Sequence, residues 1–425
     1  MLRPAPLLCA VFVVLAAVLF VPVHAERSTS LPPSEGLEVV GDEEIVGQSI
    51  LFRGNVTVRS GATLTIKDSV LVFDSNRTHH QGFLVEEGGT LVMRNSTVEA
   101  VNLSEGFSFV ADGRVDIRNC NIGGIFTTTV GLRWIGGFKI RSDNSVIRDT
   151  VFARARGYAI RCEGARNFTF SDNLVYATAT ALLLNHSTGS VTGNWFFNNS
   201  DRQVVIQNCD GVRFERNVVN GTGMGGVILV NSRNVKLSGN QIEGPFYVVY
   251  VKGSQMNMEG DVLFGQQIQL EARDSSKVVA QDCVINIKRT RTEGSSEIVV
   301  KKTVKVRVLV GGKPVEGAIV TVRNLDGDTV AKGETSSEGV AQFVLTQARV
   351  TDSGVELFDP HTFKVVKGLR SFTGTANITS ESQLEASLHL PWGLIILAAV
   401  FLVLAAIVVL APPKGERGRR AKRHS

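Results

Sequence analysis

The stretches that decide the fold are Phe170-Ser171-Asp172-Asn173-Leu174-Val175 and Leu237-Ser238-Gly239-Asn240-Gln241-Ile242, two copies of one pattern: apolar, two small or polar residues, Asn, any residue, apolar. Followed in both directions, the polar position becomes a column of Ser69, Ser96, Cys120, Thr150, Asn173, Asn194, Asn217, Asn240, Asp261 and Cys283, spaced by 27, 24, 30, 23, 21, 23, 23, 21 and 22 residues. A period in this range is the signature of a solenoid. Three places before the column stand Ile66, Met93, Ile117, Ile147, Phe170, Val191, Phe214, Leu237, Met258 and Ala280. Two places after it stand Leu71, Val98, Ile122, Phe152, Val175, Phe196, Val219, Ile242, Leu263 and Ile285. All twenty are apolar, which fixes two inward positions per turn. A third strand is read about eleven residues before the column, at Val85, Phe109, Cys162, Leu183, Ile206, Leu229 and Tyr250.

Three short strands per turn make a coil. Coils stacked about one strand spacing apart, roughly 4.8 Å, bury their apolar positions against each other. The expectation is about ten coils of right-handed winding, over residues 42–292. Ile50–Val58 is read as an incomplete first turn.

On these residues the chain resembles the right-handed parallel β-helix repeat family, in particular its exported archaeal-type surface proteins. The resemblance implies a fold more than a function, because this architecture hosts polysaccharide lyases, hydrolases, epimerases, adhesins and inert scaffolds. Beyond Glu297 the period is lost and strands alternate: Val304, Val306 and Val308, then Val315–Val322, then Gly339–Leu345. This predicts a small antiparallel Ig-like β-sandwich over 297–390. The Gly312-Lys-Pro-Val-Glu-Gly-Ala318 run resembles carboxypeptidase regulatory-like, transthyretin-like modules, which implies a stalk. The fold class expected is therefore all-β, a β-helix plus a sandwich, with one C-terminal transmembrane helix.

That helix is read at 391–412, where Trp392–Ala411 is apolar and uncharged. Residues 1–25 read as a signal peptide with Arg3 before an apolar run and Val23-His24-Ala25 as its exit. Residues 26–41 read as a linker, and 413–425 as a basic cytoplasmic tail. The localisation expected is the cell membrane, single pass, ectodomain outside. The tail carries a net +5 and Arg3 one more of the chain's +5, leaving −1 for residues 26–390. That balance offers no general pull on nucleic acid.

Cys120, Cys162, Cys209 and Cys283 fall within the exported part. Cys120 and Cys283 share a column but stand seven coils apart, about 34 Å, and Cys162 and Cys209 stand two coils apart, about 10 Å, against the roughly 7 Å a disulfide tolerates. Four thiols without a disulfide are expected, with no metal site and no cofactor.

Two residues before the polar column stand Lys67, Arg94, Arg118 and Arg148, in four successive coils. Like charges stacked at strand spacing repel. Either the neighbouring Asp68, Asp116 and Asp149 offset them, or they face an anionic ligand such as an acidic polysaccharide. The two longest coils add inserts near this end: Phe73–Gly82, with Arg77, His79 and His80, and Gly123–Gly137, with Arg133 and Trp134. The binding candidates are thus Lys67, Arg94, Arg118, Arg148 and Trp134. The competing class is a membrane-anchored polysaccharide lyase or glycoside hydrolase. Asp149 and Asp172 stack in adjacent coils, but read as turn residues.

One residue after the column runs an outward apolar stripe, Val151, Leu174, Trp195, Val218, Val262 and Val284, interrupted by Gln241. It reads as a contact surface for the sandwich domain or for a partner chain, or as a set of inward-turned residues. Nine Asn-x-Ser/Thr sequons occur, of which Asn76, Asn102 and Asn185 lie in loops suited to glycosylation. The function expected is a cell-surface β-helix protein that works by binding or structural contact, with an anionic glycan or a surface protein as partner.

Overall fold

The computed structural model describes residues 33–75, 81–130, 133–380, 382–389 and 396–403. It divides into two compact units, one running to Lys301 with Ala348–Glu356 added, the other formed by Lys302–Gln347 and the residues from Leu357 onward.

The first unit is a β-solenoid of about eleven turns, one more than expected, built on three parallel sheets. The first sheet holds the strands that follow the polar column, the second the strands midway round each turn, and the third the strands that precede the column. Pairing is in register from coil to coil, as in Ile147 with Phe170, Phe170 with Val191, and Phe214 with Leu237. The apolar residues three before the column are buried throughout, as are those two after it except Ile285, which is partly buried. Residues 33–39, within the stretch read as a linker, already form strands that pair with the next coil at Leu51–Phe52 and Val56–Val58.

The third inward position differs from the expectation. Ile160, Cys162, Leu184, Ile206, Leu229 and Val251 point into the core, whereas Leu183 pairs with Arg161 and Val205 on the outer face, and Tyr250 pairs there with Glu271. Coil length varies, so a fixed offset slips by one residue, and a slip of one exchanges the two faces of a strand.

The polar column turns the corner between the third and first sheets. Immediately before it each coil places one residue in the left-handed region: Asp68, Asn95, Asn119, Asp149, Asp172, Gly193, Arg216, Gly239, Gly260 and Asp282, with φ between 48° and 69°. Only Gly, Asn and Asp adopt this region readily, which is why they fill the position in all coils but that of Arg216. The column residue then accepts the backbone N–H of its counterpart in the preceding coil. Asn173 N donates to Oδ1 of Asn194 (2.9 Å), Asn194 N to Asn217 (2.9 Å), Asn217 N to Asn240 (2.8 Å) and Asn240 N to Asp261 (2.8 Å). Each Asn Nδ2 also donates to a carbonyl one coil back: Asn194 to Phe170, Asn217 to Val191 and Asn240 to Phe214.

A second ladder, of Cys209, Ser232, Ser254, Ser276 and Ser296, stands at the corner between the second and third sheets. The backbone N–H of Cys209 donates to Ser232 Oγ (3.1 Å), Ser232 to Ser254 (2.9 Å), Ser254 to Ser276 (3.1 Å) and Ser276 to Ser296 (3.0 Å). Cys120 and Cys283 occupy the first ladder, Cys209 the second and Cys162 the core. All four are free thiols, and burial pushes Cys120 up to about 11 and Cys162 and Cys283 to about 12.

The expected Ig-like sandwich is not found. The strand Glu297–Val310 is an extension of the third sheet. Its first residues pair parallel with Lys277–Gln281, and Lys305–Leu309 pair parallel with Gln383–Ser387. Among the described residues of the second unit, a purely antiparallel array is a four-stranded sheet ordered Thr329–Glu334, Ile319–Arg323, His361–Lys367 and Arg370–Ala376. Alternation at Val304, Val306 and Val308 marks a strand with one buried face, and it reads the same whether the neighbour runs parallel or antiparallel. In the first unit, Ala348 and Val350 join the solenoid core, and Arg349 holds Glu297 at 3.0 Å. This segment supplies cover that the open end of a stack requires.

The transmembrane helix is also overturned, and with it the single-pass membrane placement and the membrane as partner. No helix among the described residues is long and apolar enough to cross a membrane. Residues 396–403 are helical, and 391–395 lie outside the described residues. Residues 404–425, with the basic tail, and the signal reading of 1–25 lie outside the described residues.

The asparagine run of the first ladder ends on an acid. Asp261 is fully buried, its Oδ1 accepts from both nitrogens of Asn240, and its Oδ2 has no partner. That oxygen stands where an asparagine would present Nδ2, a donor, so only the protonated acid completes the ladder. Burial raises its pKa from 3.8 to about 6, against the opposing bonds from Asn240. A raised folded pKa stabilises the fold at low pH, and the contribution is lost as pH rises between about 4 and 6. Asp261→Asn is expected to stabilise the protein at pH 8 by about 1–3 kcal/mol, with the gain vanishing near pH 4. Urea unfolding of both proteins at the two pH values reads this directly.

Candidate functional site

Lys67, Arg94, Arg118 and Arg148 form one line on the outer face of the third sheet. Lys67 pairs with Arg94, Arg94 with Arg118, and Arg118 with Arg148. The column continues as Ser171, Thr192 and Glu215, so the charge belongs to four coils. Period-two alternation explains the orientation: Ile66, Met93, Ile117 and Ile147 point inward, and the next residue of each strand points out.

Every cation in this line meets a carboxylate. Lys67 reaches Glu44 (3.4 Å), Arg94 and Arg118 both bind Asp116 (2.7 and 2.8 Å), and Arg148 binds Asp149 (2.8 Å). Asp116 is therefore the shared counter-ion. Burial tends to raise its pKa, and the hydrogen bonds from Arg94 and Arg118 outweigh burial and hold it below the ordinary carboxylate value. Arg94 is the more committed arginine. Its Nη1 donates to the carbonyls of Met93 (2.8 Å) and Asp116 (2.6 Å), and its side chain is 26% exposed against 42% for Arg118.

The strand Arg114–Arg118 contributes a further cation. Arg114 shares the outer face with Asp116 and Arg118, is exposed, and has no ion pair among the described residues. Sequence reasoning passed over it because it lies four residues from Arg118, outside the column counted from the polar ladder.

The remaining candidates are dispersed. Strands Thr127–Val130 and Arg133–Gly136 pair antiparallel, Trp134 with Thr129, and the Trp134 side chain lies outside the described residues, as do Asn76, Arg77, His79 and His80. Asn102 is exposed, and its Oδ1 accepts from Ser104 N (3.0 Å) and Oγ (2.8 Å). Asn185 ends a second-sheet strand and accepts from Asn208 Nδ2 (3.1 Å). Asp149 and Asp172 are the left-handed corner residues described above, Asp149 being already engaged by Arg148. Among the described residues no group of three or more His, Cys, Asp and Glu is placed to hold a metal ion. A cleft of about 420 Å³ lies at the second corner, lined by His186, Asn208, Asp210, Asn231 and Arg233 among others. Its acid, Asp210, is bound to Asn234 and Arg233 and held below its ordinary value by both.

The outward stripe is in register. Val151, Leu174, Trp195, Val218, Gln241 and Val262 pair in succession along the outer face of the first sheet. Beside it runs a second column that the sequence analysis missed: Gly123, Ala153, Tyr176, Phe197 and Asn220. The signal was available, because these residues stand two places beyond the stripe.

Fold and surface together define a right-handed β-solenoid carrying a basic column on one outer face. The description "Right handed beta helix region" matches residues 44–203, 128–264 and 180–304, more than half of the chain, and the chain belongs to that family. No curated protein matches its sequence. Among solved structures it is similar to the periplasmic alginate epimerase AlgG, at 12% identity and a TM-score of 0.47 over 63% of this chain and 76% of that one. It is similar also to the Dettilon tailspike protein gp208, at 11% identity and 0.38 over 78% and 70%. A third is the Azotobacter vinelandii mannuronan C-5 epimerase AlgE6 A-module, at 12% and 0.31 over 59% and 90%. At these values the likeness is one of fold.

The unequal commitment of the two arginines gives a test. Arg94→Met removes the bonds to two carbonyls and leaves the part-buried Asp116 to Arg118 alone, so a loss of about 1–3 kcal/mol is expected. Arg118→Met leaves Arg94 in place and is expected to cost under about 1 kcal/mol. Urea unfolding at neutral pH separates them.

Proposed function

We propose that this chain is a β-helix scaffold that binds an acidic polysaccharide along the outer face of its third sheet. The observation that carries this reading is the line of Lys67, Arg94, Arg118 and Arg148, joined by Arg114. At roughly 4.8 Å per coil the line extends about 14 Å, a length suited to a linear polyanion rather than to one small ion. Arginine predominates, and its planar fork of donors matches carboxylate and sulfate groups in pairs. Arg114, Arg118 and Arg148 have exposed heads, while Arg94 serves chiefly to hold Asp116 and the two carbonyls. The counter-ions Glu44, Asp116 and Asp149 stop the cations repelling one another, and they also limit affinity.

Binding of this kind is screened by salt. The triple variant Arg114→Gln, Arg118→Gln, Arg148→Gln is expected to bind a polyuronate or sulfated glycan about tenfold more weakly at low salt and to show a flatter salt dependence, with its unfolding midpoint little changed. Retention on an immobilised polyuronate across a salt series measures this. Unaltered retention would refute the proposal, and release of unsaturated or reducing sugars by the wild type would move it to a polysaccharide lyase or hydrolase.

A further inference from the structure

The outer face of the first sheet adjoins the basic column along the chain. In one coil Arg148 closes the third-sheet strand, Asp149 turns the corner with φ 52°, and Val151–Ala153 enter the first sheet. On that face three aromatic residues occupy two successive coils. Tyr176 and Phe197 pair in register with ring centroids 5.2 Å apart and planes 10° from parallel, and Trp195 lies 6.2 Å from Phe197 at 57°. All three are half-buried. The stack ends at Tyr176, because the next positions in its column are Ala153 and Gly123.

Arg154 stands at this end. It follows Ala153, is exposed, and has φ 57°. Counted from the ends of the first-sheet strands, the same position in the neighbouring coils is Gly124, Ala177 and Asn198, which share this left-handed region with φ of 76°, 53° and 52°. An arginine in a backbone conformation suited to glycine is strained, and strain of this kind accumulates where a side chain is needed. The Arg154 charge acts on two half-buried groups at once. Burial raises the Glu99 carboxyl and the Tyr176 hydroxyl above their ordinary values, and Arg154 draws both down.

Resting on the reading of the third sheet as an acidic-glycan surface, we propose that Trp195, Tyr176 and Phe197 form the platform for one pyranose ring of that glycan, with Arg154 as the clamp for its carboxylate. The C–H face of a sugar ring is apolar and packs on aromatic rings, while a guanidinium recognises a carboxylate through paired donors. The ligand class is therefore a uronic-acid oligosaccharide, bound round the corner from Arg148.

The chain has three tryptophans, Trp134, Trp195 and Trp392, so replacing Trp134 and Trp392 by Phe leaves Trp195 as sole reporter. Titration with oligouronates is expected to give a saturable fluorescence change, smaller affinity for the carboxyl-reduced oligosaccharides, and about tenfold weaker binding in Tyr176→Leu. Arg154→Gly is expected to abolish the preference for the uronate while leaving the unfolding midpoint equal or higher, a combination that a structural role for Arg154 would not produce. If Tyr176→Leu and Arg154→Gly both bind within about twofold of the parent while the third-sheet triple variant has lost binding, the platform is refuted and the third-sheet reading stands. If no acidic glycan binds the parent, both fall. If Tyr176→Leu converts a dimer to a monomer with glycan binding unchanged, the face is a chain contact and the platform is refuted.

Discussion

The structure depends on one repeated hydrogen bond, from a backbone N–H at a corner to the side-chain oxygen of the residue above it in the next coil. A corner between two sheets takes the backbone out of both ladders, and its N–H would be buried without a partner, at a cost of about 1–3 kcal/mol. The asparagines from Asn173 to Asn240 remove that cost and add a second bond through Nδ2 to a carbonyl one coil back. Each such bond is possible only when successive coils are in register. The same groups that satisfy the corner therefore align the strands, and the apolar residues on either side are delivered to the core as a consequence.

This coupling explains why so much of the solenoid was legible. The polar position recurs with a left-handed residue before it and apolar residues at fixed offsets, all within six positions, so variation in coil length elsewhere does not disturb it. The basic line was legible for the same reason, since Arg94 and Arg118 sit inside that six-residue frame. Features outside the frame were not. Leu183 and Tyr250 were assigned to the core because an offset of eleven crosses a loop of variable length. The serine ladder from Ser232 to Ser296 has its own regular period, yet serine is common in turns and carries little weight singly. Arg114 and the Tyr176–Phe197 pair also lie beyond the frame.

The errors past Glu297 have a different origin. Alternating valines specify a half-buried strand and are silent about its neighbour, so Val304, Val306 and Val308 read the same in a sandwich as in the parallel pairing that Lys305–Leu309 make with Gln383–Ser387. For Trp392–Ala411, hydropathy alone suggests a membrane span, and no helix among the described residues is long and apolar enough to be one. In both places composition and alternation set burial, and only the pairing partner decides architecture.

The ladder's role in setting register is tested most directly by native-state hydrogen exchange on Asn217→Val. The amide of Asn194 donates to Oδ1 of Asn217 at 2.9 Å and loses its acceptor in the variant. The account predicts that the Asn194 amide, slow to exchange in the parent, becomes one of the fastest in the solenoid core, with protection also falling in the coils on either side. An Asn194 amide as protected in Asn217→Val as in the parent, at unchanged global stability, would contradict it.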